Sequence, residues 1–142
     1  MYKIVLDTNV VVSAIRNPNG KDAEILSLVL CEEVYLHYSA EILHEYEDVL
    51  SRPKHGLSKN TLDAFIADLV DIGFLISPDQ SDMAIRDETD RNFYDVAKFS
   101  GALLITRDKD LLVLCEKFIV TVEDYMAEWE RLTKLRRDSV FS

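Results

Sequence analysis

Apolar positions along this chain follow two alternating rhythms. Short apolar runs stand at residues 2–6, 34–38, 74–76, 102–105 and 118–120, bounded by polar or turn-forming residues. Their shortness and bounding residues predict five strands, and weak internal alternation marks 2–6 as a buried central one. Between the runs, apolar residues return every three or four positions, which predicts helices. The first is capped by Thr8 or Asn9 and runs to about Arg16, before the turn Asn17-Pro18-Asn19-Gly20. Ala23, Ile25, Leu26, Leu28, Val29 and Leu30 mark a second. Ser39 caps a third, carrying Ile42, Leu43, Tyr46, Val49 and Leu50 and ended by Pro53. Ser58 caps a fourth, with Leu62, Phe65, Ile66, Leu69 and Val70 on one side and Gly73 as its stop.

Residues 77–89 read as a polar loop. Asp90 is expected to cap a helix that turns Phe93, Tyr94, Val96, Ala97 and Phe99 inward and ends at Gly101. Leu111, Leu112 and Leu114 predict a short helix. The last helix follows Thr121 to about Arg136, with Tyr125, Met126, Trp129 and Leu132 on one side. That face suits packing on the sheet, or docking of a second subunit or a partner's helix. Strands alternating with helices predict an α/β fold with a parallel sheet covered on both faces. No repeat or internal boundary interrupts the pattern, so residues 1–142 are expected to form a single domain.

An apolar share of 48% argues for a packed globule and against disorder. No apolar stretch reaches the ~20 residues of a membrane helix, and the chain enters a strand at once, unlike a secretory leader. Cys31 and Cys115 lie in apolar surroundings and are expected to be buried, reduced thiols of a cytoplasmic protein. The formal net charge of −10 counts against general nucleic-acid binding, so any RNA needs a local cationic rim. Arg52, Lys54, His55 and Lys59 form one basic region, and Arg131, Lys134, Arg136 and Arg137 another. Arg52, Lys54 and Lys59 are candidate substrate contacts, because they follow the third helix toward the expected crevice.

Candidate chemistry comes from acids at strand and helix ends. Asp7 follows the first strand and Asp108 the fourth; Glu45 lies on the third helix and Asp90 at the start of the fifth. Carboxylates just past parallel strands face the crevice at the sheet's carboxyl edge. Gathered there they repel one another, and an oxygen-only cluster suits Mg²⁺ or Mn²⁺. This pattern points to a metal-dependent phosphodiester hydrolase. Helical spacing alone leaves Glu45 and Glu47 as alternative flanks of the third helix's apolar stripe. Asp87, Glu88 and Asp95 compete with Asp90, and Asp110 with Asp108. No Ser/His/Asp or Cys/His arrangement is evident; His37, His44 and His55 are scattered and read as surface or strand-end residues.

Four motifs carry a family resemblance. They are Leu6-Asp7-Thr8-Asn9-Val10-Val11-Val12-Ser13; Ser39-Ala40-Glu41-Ile42-Leu43-His44-Glu45 with Val49-Leu50-Ser51-Arg52-Pro53-Lys54; Asp87-Glu88-Thr89-Asp90-Arg91-Asn92-Phe93; and Leu104-Ile105-Thr106-Arg107-Asp108-Lys109-Asp110-Leu111-Leu112. Together they resemble the PIN domain family, in particular its toxin components of toxin–antitoxin systems, and the likeness extends to about Tyr125. The resemblance implies a Rossmann-like α/β/α sandwich with parallel strands in order 3-2-1-4-5. It implies that Asp7, Glu45, Asp90 and Asp108 are catalytic metal ligands, which selects Glu45 over Glu47. Asn9, Ser13 and Thr106 fall on supporting polar positions, and Asp110 shares or replaces the role of Asp108. The implied activity is Mg²⁺- or Mn²⁺-dependent endoribonuclease cleavage by metal-activated water. The implied partners are an RNA substrate, a cognate antitoxin and, in a family where dimers are common, a second copy. The competing expectation is a catalytically silent PIN-like module that binds protein or RNA.

Overall fold

In the computed structural model, which describes residues 1–141, the centre of the molecule is strand β1 (Lys3–Leu6). Ile4, Val5 and Leu6 are buried on it, as its uninterrupted apolar run predicts. Strand β2 (Tyr35–Tyr38) pairs with it in parallel on one side, in the register Lys3 to Tyr35 and Ile4 to Leu36. Strand β3 (Phe74–Leu75) lies beyond β2. On the other side come β4 (Leu103–Ile105), with Leu6 opposite Ile105, and then β5 (Ile119–Val120). All neighbours are parallel and the order is β3-β2-β1-β4-β5. The chain therefore winds away from β1 in one direction, then returns and continues on the opposite side. The reversal falls between β1 and β4, and it opens a crevice at their carboxyl ends.

Helices α1 (Thr8–Arg16), α2 (Lys21–Leu30), α3 (Ala40–Leu50) and α4 (Lys59–Ile72) lie in the first half. Helices α5 (Glu88–Ser100), α6 (Lys109–Leu112) and α7 (Val122–Phe141) lie in the second. Helix α5 packs against β1, β2 and β4, burying Phe93, Tyr94, Val96 and Ala97, while α2 packs on α7 and α1 on α3. Two caps form as the sequence predicts: Ser39 accepts from the Ile42 amide at 3.2 Å, and Ser58 from the Thr61 amide at 3.1 Å. Gly101 ends α5 at φ 71°, a left-handed conformation in which a side chain is strained. At Gly73 a Cβ would stand 2.7 Å from both the Leu69 carbonyl and the Tyr38 ring, so close approach of α4 to β2 requires glycine there.

Several expectations need correction. Helix α1 is capped by Asp7 rather than Thr8 or Asn9, and without a side-chain bond, because the Asp7 carboxylate is engaged elsewhere. Asp87, not Asp90, caps α5, accepting from the Thr89 amide at 2.9 Å; Asp90 sits inside the first turn. Helix α3 ends at Leu50, short of Pro53, which opens a single 3₁₀ turn over Pro53–His55. Helix α7 continues past Arg136 to Phe141. Phe99 is exposed, since the buried stripe of α5 follows 93, 94, 96 and 97. Both cysteines are exposed, at the end of α2 and in the turn after α6. His37 is buried within β2, bonded through Nδ1 to the Ser100 hydroxyl at 2.9 Å. The α7 face is a packing face: Tyr125 and Met126 are buried, and Trp129 meets the edge of Tyr2 with ring centroids 5.9 Å apart.

Candidate metal centre

Asp7 is the residue at which β1 leaves the sheet. Its amide donates to the Ile105 carbonyl at 3.1 Å, so the ends of β1 and β4 are held together where the crevice opens. Thr106, fully buried one residue past β4, donates its hydroxyl to Asp7 Oδ2 at 2.6 Å. The same hydroxyl accepts from the Asp108 amide at 2.9 Å. One threonine thus orients Asp7 and anchors the turn that carries Asp108. Asp108 caps α6, accepting from the Asp110 amide at 2.9 Å. Asp90 enters from α5, buried, and carboxylate oxygens of Asp90, Asp108 and Asp110 all lie within 4.8 Å of one another. Among the described residues this is the one acid group at mutual ligand distance.

Glu45 reaches the other flank. Its Oε2 accepts the hydroxyl of Thr8, the neighbour of Asp7, and the adjacent Tyr46 donates its hydroxyl to the Leu6 carbonyl. These two contacts join α3 to the end of β1. Glu47, the alternative flank, is exposed. The structure therefore brings Asp90, Asp108 and Asp110 into one tight group, with Asp7 linked through Thr106 and Glu45 through Thr8. It does not place Asp7 or Glu45 inside the 4.8 Å group. Of the supporting residues, Asn9 is exposed and Ser13 half-buried on α1.

Crowding shows in the protonation of these acids. Asp90 is pushed from 3.8 to about 7, first by burial, then by the charges of Asp108, Asp7 and Asp87. Asp7 is raised by burial and by Asp108, with the Thr106 hydrogen bond opposing. Glu45 is raised by burial, opposed by its bond from Thr8, and raised further by Asp7, Asp87 and Asp48. Asp7 is the charge common to both neighbours, raising Asp90 and Glu45 alike. Such a group favours a divalent cation, and its all-oxygen donor set fits Mg²⁺ or Mn²⁺ rather than a softer metal.

The proposed basic rim is weaker than its sequence suggests. Arg52 pairs with Asp48 at 3.6 Å and Lys59 with Asp63 at 3.0 Å, both on exposed helix surface; Lys54 is exposed. Sequence reasoning passed over Thr8, Tyr46 and Arg107. Thr8 adjoins Asp7, and that adjacency was the available signal. Tyr46 was read only as core, although a buried tyrosine hydroxyl needs a partner.

The PIN domain family's sequence model matches residues 3–110. The uncharacterized protein MJ1680 of Methanocaldococcus jannaschii is 36% identical over 115 residues, covering 79% of this chain and 74% of that protein. The fold is similar to the crystal structure of PAE2754 from Pyrobaculum aerophilum, with TM-score 0.58, 17% identity, and 89% and 93% of the two chains covered. It is also similar to VapBC2 from Rickettsia felis bound to a DNA fragment from their promoter, with TM-score 0.56, 18% identity, and 84% and 96% covered. With the family match spanning most of the chain and the sheet order agreeing, this chain belongs to the PIN domain family.

Proposed function

We propose that this chain is a metal-dependent endoribonuclease and the toxin half of a toxin–antitoxin pair. The observation that carries the reading is the acid group at the β1/β4 switch point, where Asp90, Asp108 and Asp110 converge beside buried Asp7. In this reading Asp7, Glu45, Asp90 and Asp108 hold Mg²⁺ or Mn²⁺, with Asp110 sharing the place of Asp108. A cation bound there supplies charge neutralisation for the phosphate and a more acidic water.

The chain's own groups do the positioning. Thr106 donates to one oxygen of Asp7, and Thr8 to one oxygen of Glu45. Proton affinity raised across Asp90, Asp7 and Glu45 means that the group releases protons as it takes up a cation. No side-chain nucleophile is needed, and His37 is engaged by Ser100 within the sheet region. An antitoxin partner is supported by the likeness to VapBC2, and an RNA substrate by family membership. No helix among the described residues is long and apolar enough to cross a membrane, in keeping with a cytoplasmic role.

The test is cleavage of a quenched fluorescent single-stranded RNA by wild type and Asp7→Asn, in Mn²⁺ and in chelator. Cleavage only by wild type, and only with metal, supports the proposal. Mn²⁺ binding without cleavage of any RNA supports the silent binding module instead.

A further inference from the structure

Arg107 stands between Thr106 and Asp108, and its guanidinium makes four hydrogen bonds to two carboxylates. Nη1 donates to Asp22 Oδ2 at 2.5 Å and Nη2 to Asp22 Oδ1 at 2.6 Å, a two-pronged fork. Nε and Nη2 also donate to Glu123 Oε1 at 3.2 and 2.8 Å. Asp22 lies in the first turn of α2 and Glu123 in the first turn of α7. The turn after β4 is therefore clamped from two helices distant in sequence. Thr106 bonds to Asp7, whereas its neighbour Arg107 bonds to Asp22 and Glu123. A planar fork restrains rotation as well as distance, which a single ammonium does not.

The Asp22 side chain is 4% exposed. A carboxylate so buried needs its cation, so Arg107 cannot leave for a substrate phosphate without stranding that charge. We infer that Arg107 is a positioning residue: the Asp22–Arg107–Glu123 tie sets the direction of Thr106 and Asp108, and through Thr106 that of Asp7. The inference rests on the reading that these carboxylates bind a cation.

The test compares wild type, Arg107→Lys and Asp22→Asn by calorimetric titration with Mn²⁺ alone, then by kcat and KM on RNA. Arg107→Lys keeps the charge and loses the fork. Its Mn²⁺ affinity and its kcat should each fall about tenfold, as when groups that orient metal ligands are removed, while KM changes little. Asp22→Asn should move in the same direction by less, and it decides the matter if Arg107→Lys does not fold. Tyr125→Phe on α7, which removes a 2.9 Å bond to the Met1 carbonyl, lowers stability and should leave Mn²⁺ affinity unchanged. Folded variants with wild-type Mn²⁺ affinity and kcat overturn the inference. So does a raised KM with flattened salt dependence, which would make Arg107 a phosphate ligand. A wild type that binds no Mn²⁺ fails the functional reading itself, whereas a wild type that binds beside unchanged variants fails only the tie.

Discussion

Asp90→Asn should make the metal-free protein more stable, and only above the acid range. In the fold, Asp90 takes up its proton at about 7 against an ordinary 3.8, a rise of roughly 3 units. At about 1.36 kcal/mol per unit, ionising it in place costs up to about 4 kcal/mol more than in the unfolded chain. Water reaches part of the crevice and screens the charges, so about 2 kcal/mol is the working figure. The sign follows from the raised affinity. Below pH 3.8 both states are protonated and no penalty exists; it grows between 3.8 and 7 and is complete above 7. Asparagine keeps the shape and removes the charge. For a chain of this length, about 2 kcal/mol corresponds to roughly 6 °C in Tm. Thermal unfolding in chelator should therefore show Asp90→Asn about 6 °C above wild type at pH 8, and level with it at pH 4. In Mn²⁺ at a hundred times Kd, wild type gains about 2.7 kcal/mol by mass action and the variant less, so the gap closes or reverses. A variant less stable than wild type at pH 8 in chelator, or equally favoured at pH 4, would refute this account of the crowded carboxylates.

Other expectations follow from the same geometry. Glu45→Gln should abolish cleavage in the RNA assay while Glu47→Gln stays near wild type; the reverse result would move the site to the helix's other flank. Replacing Arg52, Lys54 and Lys59 together by Gln should raise KM and flatten its salt dependence without changing Mn²⁺ affinity; unchanged KM would leave them as surface pairs with Asp48 and Asp63. Trp129→Ala removes a half-buried ring packed on Tyr2 and should cost about 2 kcal/mol, read as a lower Tm. Light scattering that shows a folded monomer in place of a wild-type dimer would instead make Trp129 an interface residue.

The elements were legible where local chemistry had one answer. Ser39 and Ser58 each stand directly before an apolar helical stripe, and both caps form. The runs that became β1 and β4 were too short and too apolar for surface helices. The strand order was different: periodicity predicted a parallel sheet, and the order itself came from family resemblance. Legibility failed where several residues offered the same local chemistry. Asp87, Glu88 and Asp90 can all serve an N-terminal turn, and the choice fell on Asp87 because Asp90 is drawn inward beside Asp108. Phe99 is apolar, but at about 100° per residue it stands away from the stripe of 93, 94, 96 and 97 and is exposed. Cys31 follows an apolar helix yet lies past its last turn, so hydrophobic neighbours in sequence did not mean burial.

The candidate site divides along the same line. Asp7 and Asp108 follow strands directly, and a strand end marks where a side chain stands in a parallel sheet. What holds them in place carries no such mark. Thr106 meets Asp7 across 99 positions, Thr8 meets Glu45 across 37, and Arg107 meets Asp22 across 85. Each of these side chains is unremarkable in its own window: a threonine after a strand, an arginine on a turn, an aspartate in a helix's first turn. Asp22 in particular has the sequence profile of a residue favoured by the helix dipole and exposed to water. Only its burial beneath Arg107 turns it into an obligatory partner, and burial is a property of the assembled sheet. Of the acids that would hold a cation, Asp7 and Asp108 could be read from strand ends, whereas Glu45 and Asp90, on helices, needed the family resemblance. Of the groups that aim them, Thr106 was marked by family resemblance alone; Thr8, Arg107 and Asp22 were not, because a positioning contact reaches across the fold to a residue whose own neighbourhood gives no sign of it.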